Sequence, residues 1–457
     1  MHRSDPSSPR GGQPQGAGSR RAAALLVALL VAAMAAVAVA QPRPAPTTTL
    51  RAEAVEKALV FNPPALISLG AGDQLAVPLY GQETNVWCWD ASSLMVIKYF
   101  KPTSPLRQCD LATQATPGQS CCASPRPAAC VHTGWEMLST NGFALSSAGS
   151  AIGWNDLKAQ ISTKKKPVLF AWGWNGGGGH MLVADGWFSL AGSQFVRVNN
   201  PWPPGSGAKE SYTYAAWVGG PGYDHITWAN WYDITPKLRV PILKFLPFEA
   251  FKIEHPPGPD PLRGKLTVHP DVVRHATTTL EAIRSAPEAL APHLGFRSAG
   301  EAKQAQLGTP LREYNVHLDA LRGYTAQAPA EKLLRGGTTL FYPVVANGAI
   351  RSSVRIAHPE GKAPETLSIG DTGVSSHLDR LQAIAPQLRQ AGGDSVPAVR
   401  VPALGLYFVA RKSGETLEVA SLFDVPNLGL KAGAFESAAA VFARLVPVAK
   451  ALPDGAM

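Results

Sequence analysis

The chain has 457 residues, 45% of them hydrophobic, with 42 Lys plus Arg against 33 Asp plus Glu. That length implies two or three domains, and the apolar fraction excludes a wholly disordered or collagen-like chain. Of the net charge of +9, +3 belongs to residues 1–40. The remainder is too thinly spread to make the basic stripe of a nucleic-acid-binding protein, so no nucleic-acid partner is expected.

At the N-terminus, Arg20-Arg21 precedes an Ala- and Leu-rich run, Ala22 to Ala40, that ends Ala38-Val39-Ala40 before Gln41-Pro42. A positive flank, an apolar stretch and small residues before a break read as a secretory signal peptide over residues 1–40. The run is about long enough for a retained anchor, but its alanine richness and Ala-x-Ala end favour cleavage. Ser19-Arg20-Arg21 leaves the general and the twin-arginine export routes both open. No later segment reaches spanning length without charges. The mature protein is therefore expected to be exported, secreted or periplasmic, and free of the membrane after cleavage. Residues 41–75, rich in Pro, Ala and Thr at their start, read as a linker or short propeptide.

Cys88 to Phe100 reads as a helix, with Ala91, Leu94, Met95 and Tyr99 on the face of Cys88; Lys98 interrupts that face and Pro102 ends it. Cys88 then lies in the first turn, where unpaired amides and the helix dipole favour a thiolate. All five cysteines fall between Cys88 and Cys130. Cys109, Cys121, Cys122 and Cys130 share a loop-like stretch. Joining the adjacent Cys121 and Cys122 is badly strained, which leaves two ways to make two disulfides. Their spacings of 12, 1 and 8 fit a four-thiolate zinc site poorly. Two disulfides with Cys88 left over, and no metal or cofactor, is the expectation.

Pro167 to Trp172 reads as a short strand, followed by the run Asn175-Gly176-Gly177-Gly178-Gly179-His180. Those glycines let a backbone pass close to a partner or ligand, and His180 opens the next strand. No Lys-Ser/Thr and no helix come after it, so phosphate cradling is a poor reading. Phe195 to Val198 is a further strand, ending in Asn199-Asn200-Pro201-Trp202. An amide there suits the third member of a nucleophile–base–orienter set. Pro236 to Leu262 is Pro-rich and marks a boundary.

Val272 to Glu301 reads as helical and Tyr314 to Leu318 as a strand. Thr338–Val345 and Ile350–Ala357 read as a hairpin around Asn347-Gly348, and Ser375 to Gln390 as a helix. Val399–Arg411 and Thr416–Phe423 read as a second hairpin, and Ala432 to Leu452 as a closing helix. This order argues for a small α+β module with no chemical motif of its own.

Residues 76 to about 245 resemble a papain-like cysteine peptidase, of the compact bacterial branch related to secreted effector proteases and bacteriocin-leader peptidases. The resemblance rests on Gln82 six positions before Cys88, on Trp87-Cys88-Trp89, on Gly178-Gly179-His180 and on Asn200-Pro201. The loop with Gln108-Cys109-Asp110 and Cys121-Cys122 also looks like that branch. The resemblance implies an α+β fold, in which a helix bearing the Cys packs on an antiparallel sheet bearing the His and Asn. It implies Cys88 as nucleophile, His180 as general base and acid, Asn200 as orienter, and Gln82 as oxyanion donor with the Cys88 amide. Two features depart from the branch. Asp90 stands where Ala is more usual, and either raises the Cys88 pKa or serves as a harmless dipole partner. Asn200 stands where Asp is common, and Asn199 is a rival, since strand alternation lets only one of the two face His180.

The expected organisation is thus a signal peptide (1–40), linker or propeptide (41–75), peptidase domain (76–245), Pro-rich linker and helical segment (246–308) and α+β accessory domain (309–457). The expected function is an exported peptidase acting on a protein or peptide substrate through a Cys-His-Asn acyl-enzyme. The alternatives are transglutaminase-like or amidase acyl transfer, and a catalytically silent peptide-binding module. The accessory domain is expected to bind a substrate or surface; the alternative is that it restrains the enzyme by laying a strand or hairpin over Cys88.

Overall fold

The structure, a computed structural model, describes residues 67–68, 72–132, 136–237, 267–391 and 394–452. The signal-peptide reading, most of residues 41–75 and nearly all of the Pro-rich boundary lie outside the described residues.

Helix α1 (Cys88–Phe100) forms over the range its apolar spacing predicts, and every residue except Lys98 is buried. Lys98 reaches out to donate to the Ser104 carbonyl. The helix stops at Lys101 because Pro102 disfavours helical backbone in the residue before it. Around α1 run strands β1 (Ile67–Ser68), β2 (Gly72–Gln74), β3 (Phe143–Ala148), β4 (Val168–Trp174), β5 (Gly179–Leu190), β6 (Ser193–Asn200), β7 (Ala208–Thr213) and β8 (His225–Pro236). They pair antiparallel in the order β3-β8-β4-β5-β6-β7, with β2 added to the far end of β5. Strand β4 is buried along its whole length, which explains its unbroken apolar run. Leu169 and Ala171 pack with Leu94 and Met95 of α1, while Phe170 and Trp172 pack with Trp217 on the opposite face.

Beyond Thr267 come α2 (Pro270–Arg284), β9 (Gln306–Leu307), β10 (Leu311–Val316), β11 (Leu334–Ala346), β12 (Ala349–Ala357), β13 (Glu365–Ile369), α3 (Thr372–Arg380), β14 (Val396–Val401), β15 (Leu406–Ser413), β16 (Thr416–Ser421), β17 (Phe435–Ser437) and α4 (Ala438–Ala451). These strands run β13-β12-β11-β10-β14-β15-β16-β17, antiparallel except for the parallel pair β10–β14. Strand β13 also pairs with β7, through Ser368 opposite Tyr212 and Ile369 opposite Ser211. One run of hydrogen-bonded strands therefore passes through both halves, and mixed helices and sheet make the fold α+β. Helix α2 belongs to this joint: Val272, Ala276, Leu280 and Ile283 share a core with Phe188, Phe195 and Ile356.

Several element boundaries differ from the sequence reading, each for a backbone reason. The helix expected over 272–301 ends at Arg284. Beyond it, Pro287 and Pro292 divide the chain into a 3₁₀ turn at Ala291–Leu294 and a short helix at Ala299–Lys303. The helix expected over 375–390 breaks at Leu381 and restarts at Ala385, with Pro386 in its first turn. Residues 432–437 are not helical, because Gly433 takes a φ of +71° and β17 pairs with β16. The strand expected over Val399–Arg411 is cut by a 3₁₀ turn at Pro402–Leu404, with Gly405 left-handed at φ +56°. The hairpin about Asn347-Gly348 forms as expected, both residues having positive φ.

Candidate active site

Cys88 begins α1 and is 3% exposed. The segment just before it is held by the cysteine loop. Cys109 is joined to Cys122 and Cys121 to Cys130, one of the two pairings left open by the sequence, and Cys88 is free. Gln108, beside the first disulfide, donates to the Gly81 carbonyl at 2.7 Å and accepts from the Glu83 amide at 2.8 Å, so it grips both neighbours of Gln82. The Trp87 indole donates to the Cys130 carbonyl at 2.6 Å. Cys109, Asp110 and Cys122 are close enough to suggest a metal site, but both sulfurs are committed to a disulfide. Partial reduction, cyanylation of the freed thiols and base cleavage beside them, read by mass, is expected to assign Cys109–Cys122 and Cys121–Cys130. Intact mass after alkylation in denaturant should show one added group, on Cys88; the other pairing would mean that the loop does not hold Gln82 in this way.

His180 is the second residue of β5, and its Nε2 lies 2.7 Å from Asn200 Oδ1 at the end of β6. Asn199 points elsewhere, donating to the Val77 carbonyl at 3.0 Å, as strand alternation requires of neighbours. The Gln82 backbone amide donates to the Pro201 carbonyl at 2.8 Å, so the segment before α1 is tied to the end of β6. The Gln82 side chain is buried and donates to the Thr84 carbonyl at 2.8 Å. Gln82, Cys88, His180 and Asn200 line one cavity.

The sequence reading misses Glu210. Asn200 Nδ2 donates to Glu210 Oε1 at 3.0 Å, and the Tyr212 hydroxyl donates to the other carboxylate oxygen. With Nδ2 taken up by Glu210, only Oδ1 of Asn200 is left to face His180. Glu210 and Tyr212 stand two apart on β7 and both are buried. Polar residues alternating onto the inward face of a strand are the available signal. Trp174 stacks on His180, ring centroids 6.3 Å apart, closing its other side.

Burial governs the electrostatics. It pushes the Cys88 thiol up to about 12, with Asp90 adding and backbone hydrogen bonding opposing. It pushes the His180 imidazole down to about 4, against its hydrogen bond to Asn200 and together with the charge of Arg400. The helix-end position that favours a thiolate is thus outweighed by desolvation, and both groups are neutral here. Asp90 is fully buried, its carboxyl pushed well up by burial and by nearby Glu83.

Residues 72–215 match the family model of the papain-like cysteine protease AvrRpt2. The resemblance to papain-like cysteine peptidases therefore holds over that segment, which contains Gln82, Cys88, His180 and Asn200. A match to that family over these residues points to peptidase chemistry, a hydrolase and a protein substrate. Comparison with curated proteins finds no match.

Proposed function

We propose that this chain is an exported cysteine peptidase that hydrolyses peptide bonds through Cys88, His180 and Asn200. The observation that carries the reading is the 2.7 Å contact between His180 Nε2 and Asn200 Oδ1 in the cavity lined by Cys88 at the start of a helix. With Nε2 occupied by Asn200, Nδ1 is the ring nitrogen left to take the thiol proton. The thiolate attacks the scissile carbonyl, and the oxyanion is held by the Cys88 amide and the Gln82 side chain. His180 then protonates the leaving amine, giving a thioester, and later takes a proton from the water that hydrolyses it. The two disulfides fit an oxidising compartment, and no helix among the described residues is long and apolar enough to cross a membrane. The decisive experiment is turnover of a protein substrate by the Cys88 and His180 variants, developed in the Discussion.

Glu210 has a positioning role in this scheme. Glu210→Gln keeps an oxygen acceptor for Asn200 Nδ2 and is expected to lower kcat by less than about threefold. Glu210→Ala frees the Asn200 amide to turn and should lower kcat by about tenfold with KM unchanged, the loss of one buried hydrogen-bond partner. Equal effects of the two variants would reduce Glu210 to a packing residue.

A further inference from the structure

The cavity at Cys88 has a second wall, and it comes from the C-terminal half. The turn between β14 and β15, with the first residues of β15, contributes Pro402, Ala403, Gly405, Leu406 and Tyr407, facing Gln82, Cys88, His180 and Asn200. Backbone carbonyls of the turn are bound by side chains that flank the cysteine. Asn85 Nδ2 donates to the Leu404 carbonyl at 3.1 Å, and Trp202 Nε1 donates to the Gly405 carbonyl at 2.7 Å. The fit is close: a Cβ on Gly405 would lie 3.1 Å from the Asn85 carbonyl oxygen and 3.2 Å from Trp202 Cδ1. Between the walls remains about 60 Å³, room for a few waters and not for a peptide.

Two further contacts hold this wall in place. Arg400 lies over the Trp174 ring, 5.9 Å from its centroid, and pairs with Asp224 at 3.2 Å. The glycine run before His180 receives the other: the Asp319 amide donates to the Gly176 carbonyl at 3.1 Å, and a Cβ on Gly176 would lie 2.5 Å from His317 Cβ. The close partner that Gly176 admits is the His317 side chain of this same chain.

We infer that the 401–407 segment is a built-in occupant of the substrate cleft, its turn held by two backbone carbonyls, so that peptide substrates and this segment compete for one site. The inference rests on the peptidase reading of that cleft. Of the two roles open to the C-terminal half, it favours restraint. Entry of substrate requires the 401–407 turn to leave Asn85 and Trp202, a local opening short of global unfolding.

The test separates access from chemistry, using the full chain. Access is the rate at which iodoacetamide alkylates Cys88, and chemistry is release of fluorescent peptides from labelled casein. Gly405→Val places a branched side chain against Asn85 and Trp202 at a left-handed position, displacing the turn. The expected result is slow alkylation of the unaltered chain and a rise of about tenfold or more in the variant, with hydrolysis rising in parallel, since two hydrogen bonds are lost. If Gly405→Val does not fold, the unaltered chain still decides: alkylation should rise at urea concentrations below the global transition seen by tryptophan fluorescence. Alkylation confined to global unfolding, or a folded variant no faster than the unaltered chain, overturns restraint. Cleavage of the unaltered chain within 401–407 overturns it too, because the segment is then a substrate. Alkylation that rises without any hydrolysis supports the occupant and removes the peptidase reading, so the two fail separately.

Discussion

Cys88→Ala is expected to reduce hydrolysis of a protein substrate by about 10⁶-fold, to the level left by binding and oxyanion contacts alone. The cause is chemical: alanine has no atom that can form the thioester, so the two-step route disappears. His180→Ala should cost nearly as much, because a thiol pushed up to about 12 by burial supplies almost no thiolate without a base. Removing both side chains should then cost little more than removing either, as expected of groups that act as one unit. Asn200→Ala leaves nucleophile and base in place and loses only the contact that orients the imidazole, so an intermediate fall is expected. Gln82→Ala should lower kcat by about 10²- to 10³-fold if its amide turns from Thr84 towards the oxyanion. These comparisons are best made in the Gly405→Val background, where access to Cys88 does not mask the chemistry. Hydrolysis that survives Cys88→Ala there would end the peptidase reading.

How much of this site is legible in the sequence depends on the range of the interactions involved. Of the residues brought into one cavity, Cys88, His180 and Asn200 stand in short local patterns, a helix start, a glycine run and a strand end before proline, while Gln82 is marked only by its spacing to Cys88 in the resemblance. Helix α1 is readable to the residue because its start and its breaker are local. Glu210 carries no such mark. Its importance lies in a hydrogen bond to Asn200 across two strands, and the alternation of Glu210 with Tyr212 marks an inward face without naming that partner. The Pro402–Gly405 turn reads straight through as strand because Val399–Arg411 is apolar and β-branched enough to mask one proline. Its significance, too, is long-range, resting on partners such as Asn85 and Trp202. The pairing of β7 with β13 has no local signature at all. The disulfide pairing is two-fold open in the sequence because adjacent cysteines have the same local context.

Closure of the cleft is also expected to depend on pH, with a sign set by the groups it buries. His180 retains a little exposed surface, yet its ring is enclosed by Trp174 of β4, Asn200 of β6 and, from the C-terminal half, Arg400. Burial in the closed chain holds its pKa down at about 4, with the charge of Arg400 adding to the fall. A base with a depressed pKa binds its proton more tightly once exposed to water, so its contribution to closure is present at neutral pH and is lost as pH falls towards about 4. The Cys88 thiol acts at the other end: held up at about 12 by burial, it supports closure at neutral pH and withdraws that support as pH rises into the alkaline range. Asp371, on the same cavity, opposes His180 in the acid range. Burial and the neighbouring Glu210, against Arg355, raise its carboxyl from 3.8 to about 8, so its support grows as pH falls. The His180 contribution is therefore read as a difference. Cys88 is labelled with a pyridyl disulfide, which stays reactive in acid, in the unaltered chain and in His180→Ala, each referred to a free thiol. Between about pH 6.5 and 4.5 the unaltered chain should gain at least about tenfold in relative labelling over His180→Ala, one pKa unit being worth roughly a factor of ten. Circular dichroism must stay native over that range, so that the gain reports opening and not acid unfolding. Parallel pH profiles for the two proteins would mean that closure does not desolvate His180, and that its imidazole is already open to water when the 401–407 turn is in place.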